Sequence, residues 1–254
     1  MTAGPFSLAG RIALVTGASR GIGAAMAVGL AEAGADVVVH GNTRAPDETC
    51  RAVERAGRRA WPLTADLLDP AGARDLVGRA VALSGRLDVL VNNAGMIRRG
   101  PSQDFSDEDW QAVLEVDLSS VFRLSRAMGK HLLDAKRPGK IVNVASLLSF
   151  QGGLNVAAYA AAKGGVAQLT KALANEWAGQ GINVNAIAPG YIRTDNTAPL
   201  QADTARYQQI LGRIPAGRWG EPEDLAGAVV FLAAPASDFV HGHVLVVDGG
   251  WMGR

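Results

Sequence analysis

Tyr159-Ala160-Ala161-Ala162-Lys163 sets a phenol and an amine four residues apart, which puts both on one face of a helix. Ser146 stands thirteen residues upstream. A free tyrosine titrates near pH 10, and bringing it to neutrality takes roughly three pH units, on the order of 4 kcal/mol, of preferential stabilisation of the anion. A neighbouring ammonium supplies charge of the required sign. The trio reads as a proton-transfer device: Tyr159 gives or takes a hydroxyl proton, Lys163 tunes it, and Ser146 holds the reacting oxygen. Taken singly, the pair could be an amphipathic helix face and the serine a turn cap.

Such a device needs a scaffold. Short runs rich in valine and isoleucine recur at 12–16, 36–40, 59–65, 89–92, 140–145, 183–188 and 244–247, and read as buried parallel strands. Helical patterns lie between them at 23–33, 71–83, 107–133, 158–180 and 222–232. This alternation predicts an α/β fold: a single doubly wound Rossmann domain over residues 1–254, with a seven-stranded parallel sheet and helices on both faces. The one long irregular stretch, 189–218, is expected to form a lid over the site.

The glycines of Thr16-Gly17-Ala18-Ser19-Arg20-Gly21-Ile22-Gly23 fall between the first strand and the first helix. There a backbone must turn tightly, approach a pyrophosphate and let helix pack on strand, so Gly17, Ser19, Arg20, Gly21, Ile22 and Gly23 are candidate cofactor contacts. Asp66, after the third strand, either accepts from an adenine amino group, with Leu67 against the ring, or caps the next helix. Asn93, in Asn92-Asn93-Ala94-Gly95, closes the fourth strand and lines the same trough. After the second strand, His40-Gly41-Asn42-Thr43-Arg44 contains no acid to bind the ribose hydroxyls and repel a 2′-phosphate. With Arg20 and Arg44 nearby, the expected cofactor is NAD(P)(H) with a lean to NADP, and Asn42 is a candidate contact. Hydride transfer between a nicotinamide and a carbonyl then gives the proton device its purpose.

The whole-chain numbers are compatible. Basic residues number 25 against 24 acidic ones, a formal net charge of +1, so no field attracts nucleic acid or an anionic membrane. A small-molecule substrate and copies of the chain itself are the expected partners. Cys50 is the only cysteine, which excludes an intramolecular disulfide and a thiolate zinc cluster; no metal site is expected, and a reducing cytoplasm is. MTAGPFSLAG carries no targeting pattern, and no later run is long and apolar enough to span a bilayer.

With Pro189-Gly190-Tyr191-Ile192-Arg193-Thr194 following in order, the chain from Leu8 to Trp251 closely resembles the short-chain dehydrogenase/reductase family in its single-domain form. The resemblance implies that Ser146, Tyr159 and Lys163 are the catalytic serine, tyrosine and lysine, with Lys163 also on the nicotinamide ribose. It implies cofactor contacts at residues 17–23, Asp66, Asn93, Pro189 and 192–194, Ile192 and Thr194 among them, and a homotetramer assembled on helices 107–133 and 158–180. The family usually has an asparagine in its central helix that helps hold a relay water. Here Asp117 stands in that place, where a carboxylate would favour charged Lys163, and activity is expected to survive.

Within the family, segments 92–99, 146–153, 174–178 and 213–220 most resemble members that act on deoxy or keto sugar acids. Gln151 would then bind hydroxyls, and Arg98, Arg99 or Arg193 a carboxylate, although each arginine is more often a surface residue. Trp177 and Trp219 read as packing residues. Reduction of carrier-bound 3-oxoacyl thioesters is the alternative, with Arg123, Arg126 and Lys130 facing an acidic carrier. A dinucleotide-binding sensor without catalysis is the alternative of another class.

Overall fold

Four or more consecutive apolar residues need cover on both faces, and the strands find it in one sheet between two helical layers. A computed structural model describes residues 4–43 and 45–254, so Arg44 lies outside the described residues. The strands are β1 (Ile12–Val15), β2 (Asp36–Gly41), β3 (Ala60–Thr64), β4 (Val89–Asn92), β5 (Gly139–Val144), β6 (Ile182–Pro189) and β7 (Val244–Val247). All pair in parallel in the order β3-β2-β1-β4-β5-β6-β7. Every residue of β1, β2, β4, β5 and β6 is buried, whereas the edge strands β3 and β7 are only partly so.

Strand order reverses between β1 and β4, which lie side by side with Val15 opposite Val91. The helical segments that follow β1 and β4 therefore depart to opposite faces there, and a crevice opens beyond the carboxyl ends of the strands. One face is covered by α1 (Gly21–Glu32) and α9 (Ala226–Ala233), which bring Met26, Leu30, Val229 and Leu232 onto Val37 and Val91. The other is covered by α3 (Pro70–Ser84) and α5 (Ser120–Asp134), with Leu76, Leu124, Met128 and Leu132 against Leu90 and Val38. Truncating one of these buried leucines to alanine should cost about 2–5 kcal/mol.

Three elements differ from expectation. The helix expected over 107–133 is two helices, α4 (Asp107–Leu114) and α5, joined by a π turn at Glu115–Ser119. Apolar periodicity runs through the joint, which hides it. The stretch 189–218 is not irregular throughout, since α7 (Ala198–Ala202) and α8 (Thr204–Leu211) occupy its middle. Its neck is pinned: Ile192 bridges to Gly220, Arg193 N donates to Gly220 O at 2.8 Å, and Gly220 N donates to Tyr191 O at 2.9 Å. A polar helix, α2 (Asp47–Arg55), burying only Thr49, Cys50 and Val53, has no counterpart in the expected pattern. The last long helix, α6 (Ala157–Trp177), follows the prediction closely.

At the amino end of the sheet, Asp88 is buried, at 1 % exposure, in the turn before β4. Its carboxylate accepts from Ile12 N at 2.9 Å and Arg86 Nε at 3.2 Å and pairs with Arg137, while Arg11 stands 3.8 Å away. Among the described residues no helix is long and apolar enough to cross a membrane.

Candidate active site

The glycine turn is fixed by contacts that leave no room for side chains. Gly17 and Gly21 have φ of +61° and +57°, and a Cβ on Gly17 would lie 2.7 Å from Ala94 Cα. On Gly23 it would lie 2.4 Å from both Gly17 O and Asn93 Nδ2. Asn93 Nδ2 donates to Thr16 O at 2.8 Å and Gly17 O at 3.1 Å, while Thr16 Oγ1 accepts from Asn93 N and Ala94 N, each at 3.0 Å. From the other side Gly17 N donates to His40 Nδ1 at 3.2 Å, so the ring proton sits on Nε2, 3.1 Å from Ala65 O. Burial pushes His40 down to about 4, which keeps the ring neutral. Thr16 and His40 carried no signal in the sequence because their partners lie 75 and 25 residues away.

This turn forms one wall of a cleft of about 720 Å³. Ser19, Arg20, Gly21, Ile22 and Gly23 line it, and the N-cap residue Arg20 makes no side-chain cap to α1, so the first amides of the helix remain available to an anion. Asn42, Asp66, Leu67 and Asn93 line the floor. Asp66 is not the cap of the next helix: its Oδ1 accepts from Leu68 N at 3.0 Å, and Asp69 caps α3 through Ala71 N at 2.9 Å. Pro189, Ile192 and Thr194 line the facing wall. There Asp195 Oδ2 lies 3.1 Å from Arg20 Nε across the cleft. The close-approach glycines, free helix amides and lack of an acid after β2 fit a dinucleotide carrying an additional phosphate.

At the far end of the cleft stand Ser146, Tyr159 and Lys163. Ser146 follows β5, caps the turn through Leu148 N at 3.1 Å and faces the cleft. Ser149 ties that turn to α6 by donating to Lys163 O at 2.6 Å. Lys163 is buried; its Nζ donates to Val144 O at 2.8 Å and lies 5.5 Å from the centre of the Tyr159 ring. Burial pushes the Tyr159 phenol above its ordinary value, and Asp117 adds to this, while Lys163, Ser146 and Arg99 pull the other way. The protein's own groups on balance favour the neutral phenol.

Asp117 occupies the π turn, fully buried. Its Oδ1 accepts from Met96 N at 3.0 Å and stands 3.8 Å from Lys163 Nζ; its Oδ2 is buried without a partner among the described residues. Burial raises its carboxyl to about 6, against the opposing pull of Lys163.

The four residues expected to hold a substrate separate. Arg98 and Arg193 line the cleft, whereas Arg99 donates to Asn196 O at 3.1 Å and does not. Gln151 lies outside it, its Oε1 3.4 Å from Trp251 Nε1. Trp177 packs on Gly129, and Trp219 is buried between Tyr191 and Tyr207.

A family model described as enoyl-(acyl carrier protein) reductase matches residues 17–252, from the glycine turn through α6 to beyond β7. The chain belongs to the short-chain dehydrogenase/reductase family. It is 53% identical over 249 residues to the 2-dehydro-3-deoxy-D-gluconate 5-dehydrogenase of Escherichia coli K12, covering 98% of each chain. An Agrobacterium tumefaciens structure assigned as a 2-deoxy-D-gluconate 3-dehydrogenase, with bound NADP, is 58% identical with a TM-score of 0.93, over 98% of this chain and 99% of that one. A gluconate 5-dehydrogenase from Burkholderia cenocepacia, in complex with NADP and tartrate, is 40% identical with a TM-score of 0.93 over 100% of both chains. This short-chain dehydrogenase/reductase is thus an oxidoreductase acting on a CH–OH group.

Proposed function

We propose that the protein interconverts the secondary alcohol and ketone of a deoxy or keto sugar acid, with NADP(H) as the preferred cofactor. The carrying observation is the pairing of half-buried Tyr159 with buried Lys163 beside Ser146 in a cleft that begins at the glycine turn, in a chain 53–58% identical to proteins named for such substrates. The cofactor supplies or accepts the hydride. The glycine turn, the first amides of α1 and Arg20 would hold its phosphates, and Asp66 and Leu67 its adenine.

In the reducing direction Ser146 holds the carbonyl oxygen, and the Tyr159 O–H bond breaks as the substrate O–H forms. The tyrosinate left behind is stabilised by Lys163 and regains a proton from solvent. Oxidation is the reverse. Arg98 and Arg193 are the candidates for the carboxylate, since both reach the cleft. Arg98 pairs only loosely with Asp109, at 3.4 Å, whereas Arg193 is held by Glu221 at 3.0 Å and donates to the Tyr207 hydroxyl at 3.0 Å, so Arg98 yields the more easily to a bound acid. Residues 189–218 form the lid, and the active form is a cytoplasmic homotetramer of single-domain chains.

The carrier-bound thioester reading has less behind it. Arg123 and Lys130, two of the three cations it needs, already pair with Glu115 and Asp134. A parallel assay decides: NADP⁺-linked oxidation of 2-dehydro-3-deoxy-D-gluconate or gluconate, against NADPH-linked reduction of an acetoacetyl thioester. Sugar-acid turnover is expected; thioester reduction without it would overturn the proposal. Cofactor binding with no turnover on either would favour the sensor.

A further inference from the structure

Asp117 is a buried carboxylate in a place where a neutral amide would cost less. We propose that its negative charge holds Tyr159 in the protonated form, so that the resting site is set for ketone reduction rather than alcohol oxidation. The inference rests on the proton-transfer role of Tyr159 given above.

The geometry carries it. Asp117 is fully buried, and the π turn aims it behind Lys163, with Oδ1 3.8 Å from Nζ. Lys163 in turn lies 5.5 Å from the Tyr159 ring. Met96, whose amide Asp117 accepts from, and Leu118, its chain neighbour, both pack on an apolar cluster of Val113, Ala158 and Ala162. The charge is thus poorly screened. From the loop after β4, Gly95 and Met96 approach Asp117 through backbone, and a Cβ on Gly95 would lie 2.5 Å from Oδ1. Glu115, in the same π turn, is turned away to Arg123.

Lys163 is the one cation acting on Asp117 among the described residues, and the charged groups acting on the phenol are Lys163, Asp117 and Arg99, with Ser146 as hydrogen-bonding partner. Lys163 alone would favour tyrosinate. With Asp117 ionised, the pair is close to neutral, and much of that favour is cancelled. Ketone reduction needs the phenol as proton donor, whereas oxidation needs the phenolate as acceptor.

The test reads the phenol directly. Tyrosinate absorbance near 295 nm is titrated in the NADP⁺ complex of the native protein and of Asp117→Asn, with Tyr159→Phe used to assign the step among the chain's three tyrosines. No substrate is added, so a wrong choice of sugar acid leaves this reading intact. The midpoint should fall by about one pH unit in Asp117→Asn, and alcohol oxidation at pH 7 should rise several-fold relative to ketone reduction. An unchanged or higher midpoint would overturn the proposal. Asp117→Ser serves as a second neutral variant. The native complex gives a variant-free reading: its midpoint should lie above about pH 7.5, and one below about pH 7 would also overturn the proposal.

Discussion

Asn93 Nδ2 occupies the space that a Cβ on Gly23 would need, only 2.4 Å away. The amide is not free to move, because it bonds Thr16 O and Gly17 O and so ties the end of β4 to the end of β1. Gly23→Ala should therefore cost stability as well as cofactor affinity. We expect about 1–3 kcal/mol in urea denaturation and at least a tenfold weaker NADP⁺ in fluorescence titration. An alanine variant with native affinity would mean that the turn reshapes freely.

Tyr159→Phe removes the proton donor and leaves the ring. Turnover should drop by roughly 10²–10⁴-fold while NADPH binding stays within about twofold. Single-turnover kinetics with fluorescence binding separates the two effects. Substantial residual activity would mean that another group carries the proton.

Two buried groups make opposing contributions to acid stability. Burial lowers His40 from 6.5 to about 4, so between those values the unfolded chain takes a proton that the folded one refuses, and stability falls as pH falls. Asp117 has the other sign: burial raises it from 3.8 to about 6, the folded form takes the proton first, and stability rises as pH falls through that window. Asp117→Asn removes the second contribution and keeps the first. Its stability should decline from pH 6 to pH 4 about 1.4 kcal/mol per pH unit more steeply than that of the native protein. Parallel urea-derived curves would refute this.

Asp88 gathers Arg86, Arg137 and Arg11 at the amino end of the sheet, the end opposite the cleft. Asp88→Asn leaves those guanidiniums facing one another and should cost about 2–4 kcal/mol, part of the charge being relieved by solvent because the arginines are partly exposed. The kcat of the folded variant should be native. A lowered kcat at full folding would reveal coupling along the strands.

Arg20 is 72% exposed and its tie to Asp195 crosses the cleft, which leaves it available to a phosphate. Arg20→Ser should lower kcat/KM for NADPH about tenfold and leave NADH nearly unchanged. An equal loss with both cofactors would assign Arg20 to the pyrophosphate instead of the 2′-phosphate.

The strands and the glycine turn were legible because their signals are local: runs of valine between breakers, and glycines at a strand-to-helix junction. The π turn was not, since Val113, Val116, Val121 and Leu124 are all buried and continue a helical repeat across it. Helices α7 and α8 went unread because polar residues and prolines mask a short helix. Arg98 and Arg99 are neighbours in sequence, yet only Arg98 reaches the cleft; which one points inward depends on the path of the chain. His40 was silent for a similar reason, its meaning lying in Gly17 and Ala65.

The bridge between Ile192 and Gly220 makes residues 193–219 a cassette with a closed neck. Because its ends are held together by the backbone, the entropy of joining them varies only slowly with what lies between. The sheet need not register a change in the cassette's length or composition. A new substrate range could be grafted onto this scaffold by exchanging that one segment, leaving the strands and the glycine turn as they are.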